Sequence, residues 1–186
     1  MKKIIALFTI GLILSSATLQ AQTENDNRLS YSIFNEYGFY LSPMTITKNN
    51  ISSGGFGGVF GFTTTVVNNL VLDKNMHFGL GLGVEFDSQD DMSVPLFFNF
   101  RNYFKDSGDK FRPMVNAALG MRYSYSEHYY YYNYYSSSIY EDNIGVYATL
   151  GGGFKVRAFS FHAGYFFKSG ANVYSMGLEV KVGLVF

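Results

Sequence analysis

The sequence predicts an all-β chain, closed into an eight-stranded antiparallel up-and-down transmembrane β-barrel. Three observations carry that expectation. Segments of about 9–13 residues, the length of a spanning strand, alternate apolar side chains with small or polar ones. This period of two marks a strand with unlike faces. Charged residues make up only 15 % of the chain, against the roughly 25 % of a soluble domain. Beyond the N-terminus, no apolar run approaches the roughly 20 residues of a spanning helix.

The N-terminus reads as an export signal. Lys2 and Lys3 precede the apolar run Ile4–Leu14, which has the length of a signal-peptide core. The run is too short to anchor the chain as a helix. Ser15–Ala21 is more polar, and cleavage is expected after Ala21. Residues 1–21 are therefore read as a signal peptide and 22–186 as one barrel domain. No Cys follows the signal, so no lipoprotein anchor is expected.

Composition narrows the function. Fourteen basic and 14 acidic side chains cancel, which gives no electrostatic reason to expect nucleic acid as a partner. The absence of Cys excludes a disulfide, a thiolate nucleophile and a thiolate metal site. Aromatics reach 19 %, with 20 Gly and 3 Pro, as in a sheet that meets something other than water.

The first two strands, about Leu29–Leu41 and Gly55–Val66, alternate least cleanly, and Asn35 interrupts the apolar face of the first. Met76–Asp87 alternates throughout, with Phe78, Leu80, Leu82, Val84 and Phe86 against His77, three Gly and Glu85. Val94–Phe104 and Val115–Tyr125 repeat the pattern, with Asn99, Arg101 and Arg122 on the second face. Ile144–Val156, Phe159–Phe167 and Tyr174–Phe186 complete the eight. Outer loops are expected at 42–53, 88–93, 127–142 and 169–172. Opposite turns fall at 67–75, 105–110 and Arg157.

A soluble barrel also alternates. There the second set would meet water and carry many charges. Here that set is mostly Gly, Ser, Asn and Ala. Glycine weakens a solvent-facing strand, but inside a narrow barrel it makes room for larger neighbours. The apolar set also places aromatics near strand ends, at Phe78, Phe86, Phe104, Tyr123, Tyr125, Phe159, Phe167, Tyr174 and Phe186, as interfacial girdles require. The apolar set is therefore expected outward, against lipid.

The last strand ends on Phe186 itself, which resembles the terminal signature of Gram-negative outer-membrane barrels. Gly79–Phe86, Val94-Pro95-Leu96 and Arg101–Phe104 are similar to the small porin-like, OmpA-type outer-membrane β-barrel domain family. The resemblance covers the mature chain from about residue 28. It implies a monomer in the cell outer membrane, contacts with membrane lipid and lipopolysaccharide, and Phe186 as a signal read by the barrel assembly machinery. The family is functionally heterogeneous, so no catalytic motif carries over.

The second face supplies the candidate lumen charges Glu36, Glu85, Arg101, Arg122, Glu179 and Lys181, with Lys155 and His162 beside them. Eight strands leave an interior that side chains just fill. Buried acids and bases there are expected to pair. A charged lining of a narrow solute channel is the alternative. A lipid-modifying enzyme is a second, and would need a Ser, a His and a carboxylate at one rim. His77, His128 and His162 are the histidines, and nothing resembles G-x-S-x-G. No spacing suits a metal, and Gly151-Gly152-Gly153 lacks the context of a phosphate loop. No catalysis and no cofactor are expected. Tyr129, Tyr130, Tyr131, Tyr132, Tyr134 and Tyr135, with Asn133 and Ser136–Ser138, form the longest outer loop. Either Tyr123 to Tyr132 extends two strands beyond the bilayer, with Tyr serving the outer belt and the lipopolysaccharide zone, or the segment is a recognition surface for an extracellular ligand.

Overall fold

The computed structural model describes residues 29–47, 58–72, 75–88, 92–104, 110–132, 135–169 and 173–186. The expected signal peptide lies outside them. Eight strands follow one another: β1 (Leu29–Thr47), β2 (Val59–Leu72), β3 (Met76–Asp87), β4 (Met92–Tyr103), β5 (Phe111–Tyr132), β6 (Tyr135–Val156), β7 (Phe159–Ser169) and β8 (Val173–Val185). Each pairs antiparallel with its neighbours, and β1 pairs with β8 to close the barrel. Backbone bonds of 2.9 Å in both directions between Ile33 and Phe186 finish the seam. The register shifts once, between Leu41 and Met44, where Pro43 lacks an N–H to give.

The alternation decides the faces. In β3, Phe78, Leu80, Leu82 and Phe86 are exposed, while His77, Gly81, Gly83 and Glu85 are buried. In β8, Leu178, Val180, Val182 and Leu184 are exposed, and Glu179, Lys181 and Gly183 are buried. The apolar side is thus the outside: Phe98 is 72 % exposed and Leu119 63 %, while Glu85 is 0 %. Water would not tolerate so continuous an apolar exterior, but hydrocarbon does, provided every backbone group is paired internally. All nine aromatics expected at strand ends are on the exposed side. The sequence pattern therefore carries both the fold and its membrane-facing side.

Strand lengths differ from the sequence reading. Residues 67–75 were expected as a turn, yet β2 continues to Leu72, pairing with β1 on one side and β3 on the other. Asn68 and Asn69 suggest a turn locally, but ladders on both sides outweigh that tendency. Likewise β1 runs on to Thr47, past the expected loop start, β2 begins at Val59, and β4 begins at Met92. Residues 55–57 and the tips 89–91, 105–109 and 170–172 lie outside the described residues.

The segment 127–142 is not an open loop: as the strand-extension reading of Tyr123 to Tyr132 expects, β5 and β6 extend to Tyr132 and Tyr135 as a paired hairpin. The neighbouring ladders stop lower, at Met92↔Tyr125 and Tyr147↔Lys168. Seven pairs, Ser126↔Glu141 through Tyr132↔Tyr135, therefore stand beyond the barrel as a two-stranded ribbon. Its length is about 24 Å at the antiparallel rise. The opposite end holds the start of β1, the end of β8 and the connections 73–75, 104–110 and 157–158. There the two-residue link between β6 and β7 places Arg157 at φ 55°.

Leu119→Arg should cost about 2–4 kcal/mol if Leu119 sits near the bilayer midplane. Urea unfolding in lipid vesicles would measure it. An unchanged midpoint would mean that this face does not meet lipid.

Candidate functional site

Closure turns the second face of each strand into a lumen, and the side chains there fill it. Arg101, Tyr103, Tyr147, Phe34, Lys168, Met114, His162, Glu85 and Glu179 are among the largest fully buried side chains. Large rings fit because glycines face them. Gly61 lies against the Tyr40 ring and Gly81 against Phe97, so a Cβ at either would run into the ring.

The charges form three groups. Near the middle, Arg101 Nη1 lies 2.7 Å from Glu36 Oε1, and Nη2 donates to Oε2 at 2.8 Å. One charge-assisted hydrogen bond and a second close ionic contact fix the orientation of this pair. The guanidinium also donates to Asn99 Oδ1 at 2.9 Å and stacks 4.1 Å from the Phe34 ring centre. Asn99 in turn donates to Asn116 at 2.8 Å, and His162 Nδ1 lies 3.6 Å from Glu36. Toward the ribbon, Glu85 takes Lys168 at 2.7 Å and Arg122 at 3.3 Å. Ser93 bridges that group, donating to Glu85 at 3.2 Å and accepting from Arg122 at 2.8 Å. Lys168 also lies 3.5 Å from the Tyr40 ring centre. Beside it, Lys181 lies 3.1 Å from Glu179 and donates to the Tyr147 hydroxyl at 3.2 Å.

The structure thus brings Glu36 to Arg101, Glu85 to Arg122 and Glu179 to Lys181, in three groups rather than one. Sequence reasoning missed Lys168. It follows Phe166-Phe167 at the end of β7, but shares the even-numbered inward register of Ser160 and His162. Sequence reasoning placed Phe166 inward, as found, but missed the inward rings of Phe34, Tyr40, Phe97 and Tyr103. These are apolar residues on the polar face, which a hydrophobicity pattern cannot rank.

No described residues form a metal-binding group of three or more His, Cys, Asp or Glu. Among the described residues Ser32 Oγ lies 3.1 Å from His77 Nδ1, buried near the start of β1. His77 Nε2 has no partner, so the contact lacks the carboxylate of a catalytic triad. The side chains of 126–132 and 135–141, including His128 and the Tyr cluster, lie outside what the structure describes.

A closed eight-strand barrel with an apolar exterior, aromatic rims and an ion-paired interior defines a transmembrane β-barrel of the small outer-membrane architecture. Solved structures share it. Neisserial surface protein A superposes with a TM-score of 0.53 at 14 % identity, over 86 % of this chain and 100 % of that one. Ail, the attachment invasion locus protein of Yersinia pestis, in complex with the heparin analogue sucrose octasulfate, gives 0.55 at 11 %, over 84 % and 99 %. The outer-membrane enzyme PagL gives 0.50 at 15 %, over 81 % and 97 %. At such identities the likeness is one of fold. No family model matches the sequence. No curated protein matches it.

Glu36→Ala would leave Arg101 buried without its carboxylate and should cost about 3–5 kcal/mol. Glu36→Leu combined with Arg101→Met should recover much of that loss. Urea unfolding of the refolded barrel would compare them, and a double variant no better than the single one would show that the pair is not the unit.

Proposed function

We propose that the protein is a monomeric barrel of the Gram-negative outer membrane whose ribbon recognises an extracellular partner. The observation that carries this reading is the ribbon itself, seven residue pairs beyond the neighbouring strands. The start of β1 and the end of β8 lie at the other end, and the ribbon as the longest projection suits the outer side, where such barrels carry their longer excursions. In this reading the signal peptide exports the chain, the assembly machinery reads the strand ending in Phe186, and lipid and lipopolysaccharide surround the aromatic rims.

Ribbon composition supports recognition. Tyr supplies broad, rigid contact area, while Ser and Asn supply adaptable hydrogen bonds. The charges around it are acidic: Asp87 at the end of β3, with Glu127, Glu141 and Asp142 along the hairpin. A cationic partner suits that field better than a polyanion. The sulfated ligand bound to Ail is therefore a poor guide to what this chain would hold.

The alternatives gain less support. A water-filled channel leaves its lining wet, but Arg101 and Glu85 are 0 % exposed and Lys168 1 %. The fold hosts an enzyme in PagL, yet fold does not carry function, and the Ser32–His77 contact lacks a carboxylate.

Replacing residues 126–141 with a short turn should leave the gel-mobility difference between unboiled and boiled protein intact. It should abolish binding of the purified barrel to immobilised cationic polypeptides. Unchanged binding would remove the ribbon from the function. In planar bilayers the protein should give no steady conductance steps, and well-defined steps would favour the channel.

A further inference from the structure

The β5–β6 ribbon has two edges, and they differ in length. On the β5 side the ladder with β4 ends at Met92↔Tyr125, which leaves Ser126–Tyr132 without a neighbouring strand. On the β6 side the ladder with β7 ends at Tyr147↔Lys168, which leaves the longer stretch Tyr135–Gly145. That edge runs about 37 Å at the antiparallel rise. Among the described residues, no strand pairs with it. The connection beside it, 170–172, is too short to lie along it.

One bond sets the direction of its backbone groups. Val146 N–H donates to Ser169 Oγ at 2.8 Å, so at Val146 the main chain points toward β7. Successive residues of a strand turn their N–H and C=O to opposite sides. Ile144, Asp142, Tyr140, Ser138 and Ser136 therefore present theirs along the free edge, while the odd-numbered residues serve the ladder with β5. Unpaired main-chain groups are too costly for hydrocarbon, so this stretch belongs to the part of the hairpin in water.

A free edge invites pairing, and natural sheets blunt theirs with Pro, Lys, a bulge or a covering segment. Tyr135–Gly145 contains no Pro and no Lys, and its register with β5 runs without a shift. Charge decides what suits it. From Tyr123 to Phe154 the chain holds Glu127, Glu141 and Asp142 and neither Lys nor Arg. A second copy would add its own acids to the same field, which opposes pairing. A strand carrying Lys or Arg complements it.

We propose that the Tyr135–Gly145 edge captures an extended, cationic segment of a partner protein by strand addition, which rests on the reading of the ribbon as the recognition element. Main-chain bonds along the edge supply affinity, and the acids select the side chains of the added strand. Two strands alone are marginal in water, so the third also steadies the ribbon that receives it.

The test uses the full mature barrel, refolded in a non-ionic detergent, and a labelled synthetic peptide of alternating Lys and Thr as long as the edge. A second peptide of the same sequence is N-methylated through its centre, which blocks both of its edges and keeps its charge. Fluorescence anisotropy at physiological ionic strength follows binding. The unmodified peptide should bind saturably, and the N-methylated one about tenfold more weakly or worse, as the loss of a main-chain bond requires. Ser138→Pro removes one N–H from the free edge and none from the ladder with β5. It should weaken binding by about tenfold, whereas Ser138→Ala, which keeps the N–H, should leave it unchanged. The gel-mobility difference between unboiled and boiled protein checks that each variant is folded. Equal binding of the two peptides, or undiminished binding by Ser138→Pro, would overturn strand addition and leave the ribbon as a charged surface. Equal binding by the barrel without residues 126–141 would remove the ribbon as well. No binding of either peptide would overturn the proposal, as would a dimer that Ser138→Pro dissolves, which would make the occupant a second copy.

Discussion

Backbone satisfaction is the constraint on which everything else rests. In hydrocarbon an unpaired N–H or C=O costs several kcal/mol, so a sheet that enters a membrane must close. The β1–β8 ladder performs that closure, and the Ile33–Phe186 bonds carry it to the last residue. The single register shift sits at Pro43, toward the ribbon end, where an interrupted ladder is least costly. Once the ring is closed, the period of two leaves no freedom. One residue set must face lipid and the other must face the lumen.

The interior follows from the small circumference. Eight strands enclose a space that side chains fill. Glycines at Gly61 and Gly81 let Tyr40 and Phe97 cross it. Charges in so dry a space persist only when paired, and each buried carboxylate is held by at least one cation. Lys168 Nζ lies 2.7 Å from Glu85, where Coulomb attraction in a low-dielectric interior is strong. Buried pairs of this kind add little net stability compared with apolar packing. Their role here is to fill the barrel without leaving orphaned charge.

The same logic explains what the sequence disclosed and what it withheld. The faces were legible because alternation is a local property. Met76–Asp87 and Val173–Val185 show it residue by residue, and the inward register of Glu36, Glu85, Arg101 and Glu179 follows from it. Strand ends were not legible. Asn68-Asn69 read as a turn, but the β1 ladder extends it, and for the Tyr-rich run the pattern left loop and extended strands both open, where the β5–β6 hairpin pairing gives the strands. Nor could alternation say which inward charges meet. Arg101 finds Glu36 on a strand 65 residues away, across the lumen rather than beside it. Lys168 escaped notice because it ends a strand, where a Lys ordinarily reaches for solvent.

The orientation of the faces can be read directly. The chain contains no Cys, so a spin label placed by Leu119→Cys or Val180→Cys reports one position each. In lipid vesicles, a lipid-facing exterior requires frequent collisions with dissolved oxygen and few with a water-soluble nickel chelate. Collisions mainly with the chelate at both positions would contradict it. The apolar set would then face water in a soluble barrel, and the membrane assignment would fall with it.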